Sequence, residues 1–489
     1  MKRTSNYITR TIALPIILLF LSFSTAIAQN KADKIDKLMK TYHEYGQFNG
    51  SILVADKGDV IYSKGLGLAN MEWDIPNASD TKHRLGSITK QFTAALILQF
   101  VEQDKLDLHT PITKYLKNYP EAQGDKITIH HLLTHSAGIP NYTSLETFQN
   151  IYRNPYTPKE FLTMFQDSIL EFEPGKKFAY SNSGYFLLGV ILEEVSGKSY
   201  ETLLHKHILA SLKMTATGYD HHDRILKNRA TGYDKEGKKY TNSKYLDMSL
   251  PYAAGSMYST VEDLYTWDRA LYTNKVLTQK SRDLMFTAYM PTGRASYGYG
   301  WSIGKEKVAN RDSITVVEHG GGINGFNTLI YRIPEDNHAI ILLNNTGRIE
   351  LFDMAKKLTK ILYDQPFEMP KQSLALAVME SIKEDNIAKG MKTFETYQND
   401  KSYNLNENEM NRVGYYFLQN SKTKEAIEVF KMNVAAFPES SNVYDSLGEA
   451  YFADKQNELA LKNYKKSLEL NPENENATKF IEKIKIQKK

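Results

Sequence analysis

The chain has 489 residues, 41% of them apolar and 24% charged, with no cysteine and a formal net charge of +4. That length exceeds one ordinary domain, and the balance describes a soluble globular protein with material for a large core. The lack of thiols excludes disulfides, thiolate metal sites, cysteine nucleophiles and a lipidated N-terminal cysteine, and so small a charge gives no argument for nucleic acid.

Lys2, Arg3 and Arg10 precede an apolar run from Ile12 to Phe23, followed by Ala26-Ile27-Ala28. This is the pattern of a signal peptide over residues 1–28: a positive start, a short apolar stretch and an Ala-x-Ala cleavage site. The run is short for a membrane span, and no other segment reaches that length. Removing residues 1–28 lowers the net charge to +1, because they carry three positive charges and no negative ones. The mature protein is therefore expected to be exported, periplasmic or secreted, with no membrane span.

Residues 31–45 pattern as an amphipathic helix. Gly50–Ala55 and Asp59–Ser63 read as strands joined across Asp56-Lys57-Gly58, a hairpin signal. A helix follows near residue 90, and from there to about residue 290 the pattern is mainly helical, with few strand signals. Leu132–Pro140 ends a short helix in a turn. His130, His131 and His135 cluster there without the glutamate of a His-Glu-x-x-His site, so they read as structural rather than metal ligands. Ser259-Thr260-Val261-Glu262 reads as a capping box opening the helix that carries Leu264, Trp267 and Leu271. Strand signals return at Ile314–Val317, Asn327–Arg332 and Ala339–Leu343, and a helix from about Leu351 to Leu362 closes the section. Strands at both ends with helices between imply one sheet built from N- and C-terminal pieces, with a helical insert over one end and a cleft between.

Beyond Tyr363 the chain becomes helical and repetitive. Gly414, Phe417, Ala426, Phe430 and Pro438 recur 34 residues later as Gly448, Tyr451, Ala460, Tyr464 and Pro472. Small, aromatic and proline positions at that period are the tetratricopeptide signature, and Leu374 to Phe394 reads as a degenerate earlier copy. The domains expected are a sheet-and-helix unit over 29–365, a linker or degenerate repeat over 366–405, and repeats over 406–489.

The chemistry centres on Gly86-Ser87-Ile88-Thr89-Lys90. Gly86 breaks the chain before a helix, which places Ser87 and Lys90 one turn apart on one face. A serine hydroxyl needs a neighbouring base or cation to become a nucleophile, and a lysine pressed against an apolar face loses hydration and basicity. Ser-x-x-Lys alone is a weak signal, since it recurs at Ser79/Lys82, Ser302/Lys305 and Ser421/Lys424. Two further stretches supply what Ser87 and Lys90 lack. Tyr180-Ser181-Asn182 offers a phenol, favoured as phenolate beside an ammonium, and an amide to orient lysine and substrate. His319-Gly320-Gly321-Gly322 follows a strand, where glycines let a substrate backbone approach and leave an N–H for an oxyanion. His319 is placed to meet a substrate carboxylate or the Tyr180 oxygen.

These three stretches, in this order and spacing, resemble the penicillin-recognising serine hydrolases, specifically the class C β-lactamase-related family. Leu132–Gly138, Ser259 through Trp267, and Tyr299-Gly300-Trp301 are similar to it as well, so the resemblance spans roughly residues 32–365. It implies an α+β fold, an antiparallel sheet flanked by helices plus an all-helical insert, with the tetratricopeptide-repeat domain following. It also implies Ser87 as acylated nucleophile, Lys90 as its activating partner and Tyr180 as proton shuttle. Asn182, His319 and Gly321 would bind substrate, and the N–H groups of Ser87 and Gly322 would form the oxyanion hole. No metal or cofactor is implied, and either Lys90 or Tyr180 serves as the base. A β-lactamase of this class would carry Lys at 319, so His319 tilts the expectation from antibiotic hydrolysis toward a DD-peptidase, D-aminopeptidase or esterase. The substrate expected is a small peptide or ester, with a protein partner for the repeats. The alternative is a catalytically idle scaffold acting through those repeats.

Overall fold

The computed structural model describes residues 13–237, 239–293, 295–308, 311–347 and 349–487, and side chains from residue 29 to 486. Lys2, Arg3 and Arg10 of the expected signal peptide lie outside the described residues. Among the described residues no helix is long and apolar enough to cross a membrane. The chain divides into two compact units, residues 1–235 with 240–368, and residues 369–489 with 236–239.

The first unit is built on one eight-stranded antiparallel sheet. Its strands are β1 (Gly50–Asp56), β2 (Asp59–Leu66), β3 (Met290–Pro291), β4 (Ala295–Tyr297), β5 (Ser302–Val308), β6 (Arg311–Ile323), β7 (Phe326–Ile333) and β8 (His338–Asn344). Their order is β3-β4-β5-β6-β7-β8-β1-β2, so the N-terminal hairpin is stitched onto the C-terminal strands through β1 against β8. The sheet from both ends of the segment was expected; β3, β4 and β5 were not. Strand β5 carries Ser302-Ile303-Gly304-Lys305-Glu306-Lys307-Val308, too polar to register as a strand, and it forms because β6 offers its edge. Ser302 and Lys305 therefore sit three apart on a strand and point to opposite faces.

Helix α1 (Ala13–Glu44) is longer than the 31–45 expected and buries Ile35, Leu38, Met39 and Tyr42. Helix α2 (Thr89–Glu102) is buried on every side from Thr89 to Phe100. That pattern belongs to a helix at the centre of a large core rather than on its surface. Phe92 of α2 stacks on Trp267 at 4.4 Å, and the Trp267 indole donates to Gln91 Oε1 at 3.1 Å. Around α2 pack α3 (Ile129–Leu133), α4 (Asn182–Ser196) and α5 (Val261–Ala270) of the insert. The cap of α5 sits one residue later than the sequence suggests. Thr260 accepts the Asp263 N–H at 3.2 Å, because Ser259 belongs to a short strand and bonds Thr217 instead, at 2.7 Å. Asp268 of α5 and Arg332 of β7 form a buried ion pair between helix and sheet.

The second unit, in its described residues, is built from three helix pairs and a last single helix. After α6 (Leu351–Leu362) of the first unit come α7 (Leu374–Glu384) and α8 (Ile387–Tyr397), then α9 (Glu407–Gln419), α10 (Thr423–Ala436), α11 (Ser441–Ala453), α12 (Asn457–Leu470) and α13 (Glu475–Gln487). The α9–α10 pair and the α11–α12 pair begin and end 34 residues apart. In each, glycine on the first helix faces an aromatic ring on the second: a Cβ on Gly414 would lie 2.4 Å from Phe430, and one on Gly448 3.0 Å from Tyr464.

Candidate active site

The chain reverses at Gly86, whose φ of +56° lies in the left-handed region that glycine enters without strain. A Cβ there would sit 2.9 Å from both N and O of Gly322, so only glycine lets this turn press against β6. A 3₁₀ turn, Gly86–Ile88, leads directly into α2. Ser87 is not the capping residue of that turn, and its side chain caps nothing. Its hydroxyl faces Lys90 Nζ at 3.0 Å. None of the other Ser-x-x-Lys pairs makes this contact: Ser79 donates to Glu262, Lys82 bonds the Lys227 carbonyl, and Ser421 lies in an interhelical turn.

Lys90 is completely buried and has two further partners, Asn182 Oδ1 and the Ala254 carbonyl, each at 2.8 Å. Burial holds its pKa well below the usual lysine range, which favours the neutral amine. A neutral amine has two N–H bonds and one lone pair. As an ammonium Nζ donates to all three oxygens, Ser87 Oγ included. As the neutral amine that burial favours, it keeps two N–H bonds for the carbonyl oxygens and turns its lone pair to the Ser87 O–H. The geometry thus sets a base beside a hydroxyl that is half-buried and reachable from the cleft.

Each partner of Lys90 is itself placed by local structure. Asn182 opens α4, and Asn141 Oδ1 accepts from both its backbone N–H, at 3.2 Å, and its side-chain amide, at 3.3 Å. Ala254 lies in the turn after Tyr252, whose φ of +42° is strained for an aromatic residue. The same turn presents the Ala253 carbonyl to Thr93 at 2.6 Å. Asn141 and Ala254 carried no sequence signal. Asn141 stands apart from any motif, and Ala254 contributes only a backbone oxygen.

Tyr180 lies over Lys90, with Nζ 4.9 Å from the ring centroid. The residue as a whole is 36% exposed, yet its hydroxyl is turned inward toward Ser87. Burial of that hydroxyl pushes its pKa above the ordinary phenol range, and the Ser87 hydrogen bond offsets only part of the rise. The expectation of a phenolate favoured by a lysine ammonium is thereby corrected. Desolvation dominates at both groups, so Lys90 tends to neutral amine and Tyr180 to neutral phenol.

His319 also departs from expectation. It is buried, its Nδ1–H donates to the Gly320 carbonyl at 2.6 Å, and its Nε2 accepts from Tyr297 Oη at 2.8 Å. Burial, with a smaller contribution from Lys90, lowers its pKa to about 3. Both ring nitrogens are occupied and the ring is uncharged at neutral pH, so it supplies neither a cation for a carboxylate nor a partner for the Tyr180 oxygen. Tyr297, its actual partner, lies on a strand with no sequence signal.

The glycines divide by face. A side chain on Gly321 would collide with the Leu85 carbonyl at 1.9 Å, so this glycine is required for packing and does not line the cleft. Gly322 does line it. Pairing between β5 and β6 ends at Ser302 with Glu318, whereas β6 continues against β7 as far as Ile323 with Phe326. Residues 319–323 therefore present one backbone edge that no described strand covers. The cleft has a volume of about 320 Å³ and is bounded by Ser87, Asn182 and Gly322 together with Tyr142, Tyr152 and Lys244, the last its one charged lining side chain among the described residues. No group of three or more His, Cys, Asp or Glu able to hold a metal occurs among the described residues, and the histidine cluster at 130–135 is no exception.

Glu318, beside His319 on β6, gives a pH-dependent prediction. Burial pushes its carboxyl up to about 7, with Ser302 opposing and Glu306 reinforcing. The ordinary glutamate value is about 4.3. The folded state resists ionisation, so this residue's contribution is intact below pH 4 and is lost as pH rises to about 7. Glu318→Gln is expected to match the parent near pH 4 and to exceed it by about 3–4 kcal/mol at pH 8. Urea unfolding at both pH values checks this, and an equal difference at both would contradict it.

Residues 32–361 match the family model described as Beta-lactamase. Penicillin-binding protein 4* of Bacillus subtilis is 29% identical over 363 residues, covering 70% of this chain and 79% of that protein. The crystal structure of a penicillin binding protein from Bacillus halodurans superposes with a TM-score of 0.60 at 27% identity, over 66% of this chain and 98% of that one. D-amino acid amidase from Ochrobactrum anthropi SV3 superposes with a TM-score of 0.56 at 25% identity, over 70% and 97%. A family match over two thirds of the sequence, on an antiparallel sheet and helical insert shared with these structures, assigns the chain to the beta-lactamase family, as a class C β-lactamase-related serine hydrolase.

Proposed function

We propose that the protein is an exported hydrolase that cleaves an amide or ester through an acyl-enzyme on Ser87. The observation that carries the reading is the environment of Lys90: a fully buried Nζ held by two carbonyl oxygens, with the Ser87 hydroxyl as its third contact. As Ser87 Oγ attacks the acyl carbon, its proton passes to Lys90 Nζ. The oxyanion is held by the N–H groups of Ser87 and Gly322, the first in an opening turn without an intrahelical acceptor. Tyr180, kept protonated by burial, gives its proton to the leaving group as the scissile bond breaks, and the Lys90 ammonium restores it. A water then attacks the ester on Ser87 as these transfers run in reverse, releasing the acid. Asn182 orients Lys90 and meets the substrate, whose backbone lies along the open edge of residues 319–323.

The neutral, fully bonded His319 supports peptide amides or esters over β-lactam antibiotics, since it offers no fixed charge to a substrate carboxylate. The named relatives, penicillin-binding proteins and a D-amino acid amidase, support the same direction. Residues 1–28 are read as a removable signal peptide. The C-terminal unit is read as tetratricopeptide repeats that hold a protein partner, supported by the 34-residue spacing of its helix pairs.

Intact mass measurement of the mature chain, incubated separately with a fluorophosphonate and a penicillin, tests the reading. A single fluorophosphonate adduct that maps to Ser87 is expected. Absence of any adduct, or an adduct on another residue, would overturn it. A lasting penicillin adduct would place the substrate among D-amino-acid-containing peptides.

A further inference from the structure

One residue, His135, touches three consecutive positions around Tyr180. It follows α3 in the stretch Leu132–Pro140, for which the sequence suggested only structural hydrogen bonding. Its carbonyl accepts the Ala179 N–H at 2.9 Å. Its Nδ1 accepts the Ser181 N–H at 3.2 Å. Between them its ring lies against that of Tyr180, with centroids 4.1 Å apart and planes inclined by 34°. Tyr297 at 4.7 Å and Tyr185 at 5.1 Å close the other sides, and His135 is 2% exposed.

Two features set this apart from ordinary core packing. The first is the backbone: His135 has a φ of +54°, a conformation that glycine adopts more easily. Three residues on, at Gly138 with φ +74°, the chain does use glycine, where a side chain would meet the Phe172 carbonyl at 2.2 Å. At 135 the strained backbone carries a side chain instead. The second is the imidazole itself. Because Nδ1 accepts, the proton sits on Nε2, and among the described residues that buried N–H has no hydrogen-bond partner. An unpaired buried donor works against stability. The turn thus places a buried aromatic side chain where it meets Tyr180 and the backbone on either side of it.

The geometry points to His135 as the positioning residue for Tyr180, fixing the phenol ring by stacking and its flanking backbone by hydrogen bonds so that the hydroxyl meets the leaving group. This rests on the reading of Tyr180 as proton donor. A misplacement of about 1 Å at a reacting group costs on the order of 100-fold in rate. The loss should fall on acylation of substrates whose leaving group needs a proton, and leave binding alone.

The test compares two esters of the same acid, one with an alkoxide leaving group and one with p-nitrophenoxide, which departs without a proton. His135→Ala is expected to lower kcat/KM for the alkyl ester by about 100-fold, with little change for the nitrophenyl ester or in fluorophosphonate labelling of Ser87. His135→Asn tolerates the backbone and keeps an acceptor for Ser181, and His135→Phe keeps the stacked ring. Each should restore part of the alkyl-ester rate, and they carry the test if His135→Ala does not fold. Tyr180→Phe should show the same split between the two esters, more strongly. Equal losses on both esters would reduce His135 to a structural residue and overturn the inference. A split in Tyr180→Phe with none in the His135 variants would also overturn it while leaving the role of Tyr180 intact. No split in Tyr180→Phe would remove the proton-donor reading, and the inference with it.

Discussion

A Ser87→Ala chain is expected to turn over neither ester nor amide above background, a loss on the order of 10⁴-fold or more, and to take no fluorophosphonate. The size follows from the chemistry: without Oγ there is no covalent intermediate, and the neutral amine of Lys90 has nothing to deprotonate. Stability should hardly move, because the Ser87 side chain caps no helix and its side-chain bonds are to Lys90 and Tyr180, groups of the site itself. The check is paired: turnover of a nitrophenyl ester and a thermal melt on the same preparation. Residual turnover within about tenfold of the parent would remove Ser87 from the mechanism. Lost turnover with an unfolded chain would show that the hydroxyl serves the fold. If the parent itself shows no turnover and no labelling, the function shifts to the C-terminal helices.

Lys90→Met should cost nearly as much activity, about 10³-fold or more in kcat/KM, because residues acting as one unit fail together. Its effect on stability should depend on pH in a definite direction. Burial lowers the pKa of Lys90 in the folded state well below the ordinary value of about 10.4. Below that value the unfolded chain binds a proton that the folded chain rejects, so the parent gains stability as pH rises toward it. Methionine has no such linkage. The stability of the variant relative to the parent should therefore be highest at neutral pH and decline toward pH 10, whatever the loss of the hydrogen bonds to Asn182 and Ala254 adds at every pH. Urea unfolding at pH 7 and pH 10 measures this, and an unchanged difference would contradict a neutral buried amine. The same assignment sets the rate profile: kcat/KM should rise on an acid limb well below pH 10 and show no alkaline fall at the ordinary phenol pKa, since burial raises that of Tyr180.

Much of this site was legible in residues alone. Gly86, Ser87 and Lys90 are close in sequence and joined by helical geometry, so their juxtaposition follows from local rules. The N- and C-terminal pieces of the sheet were legible because Ile52-Leu53-Val54 and Ile340-Ile341-Leu342-Leu343 are short apolar runs, rich in β-branched residues and bounded by turn signals. The 34-residue recurrence is likewise legible without tertiary information, because the same contact of glycine against an aromatic ring, Gly414 with Phe430 and Gly448 with Tyr464, repeats in successive helix pairs.

What the sequence could not decide were choices made by distant backbone and by burial. Strand β5 forms because β6 supplies an edge, not because Ser302–Val308 favours it. Gly321 reads as a substrate contact until the Leu85 carbonyl is seen where its side chain would be. His319 reads as an accessible donor until Tyr297 and the Gly320 carbonyl occupy both nitrogens. Protonation is the clearest case. Residue types placed a lysine beside a tyrosine, and simple charge pairing favours ammonium and phenolate. The fold removes water from both, and desolvation pushes the lysine toward amine and the tyrosine toward phenol. Spacing determined which groups meet; only the tertiary structure determined which of them holds the proton.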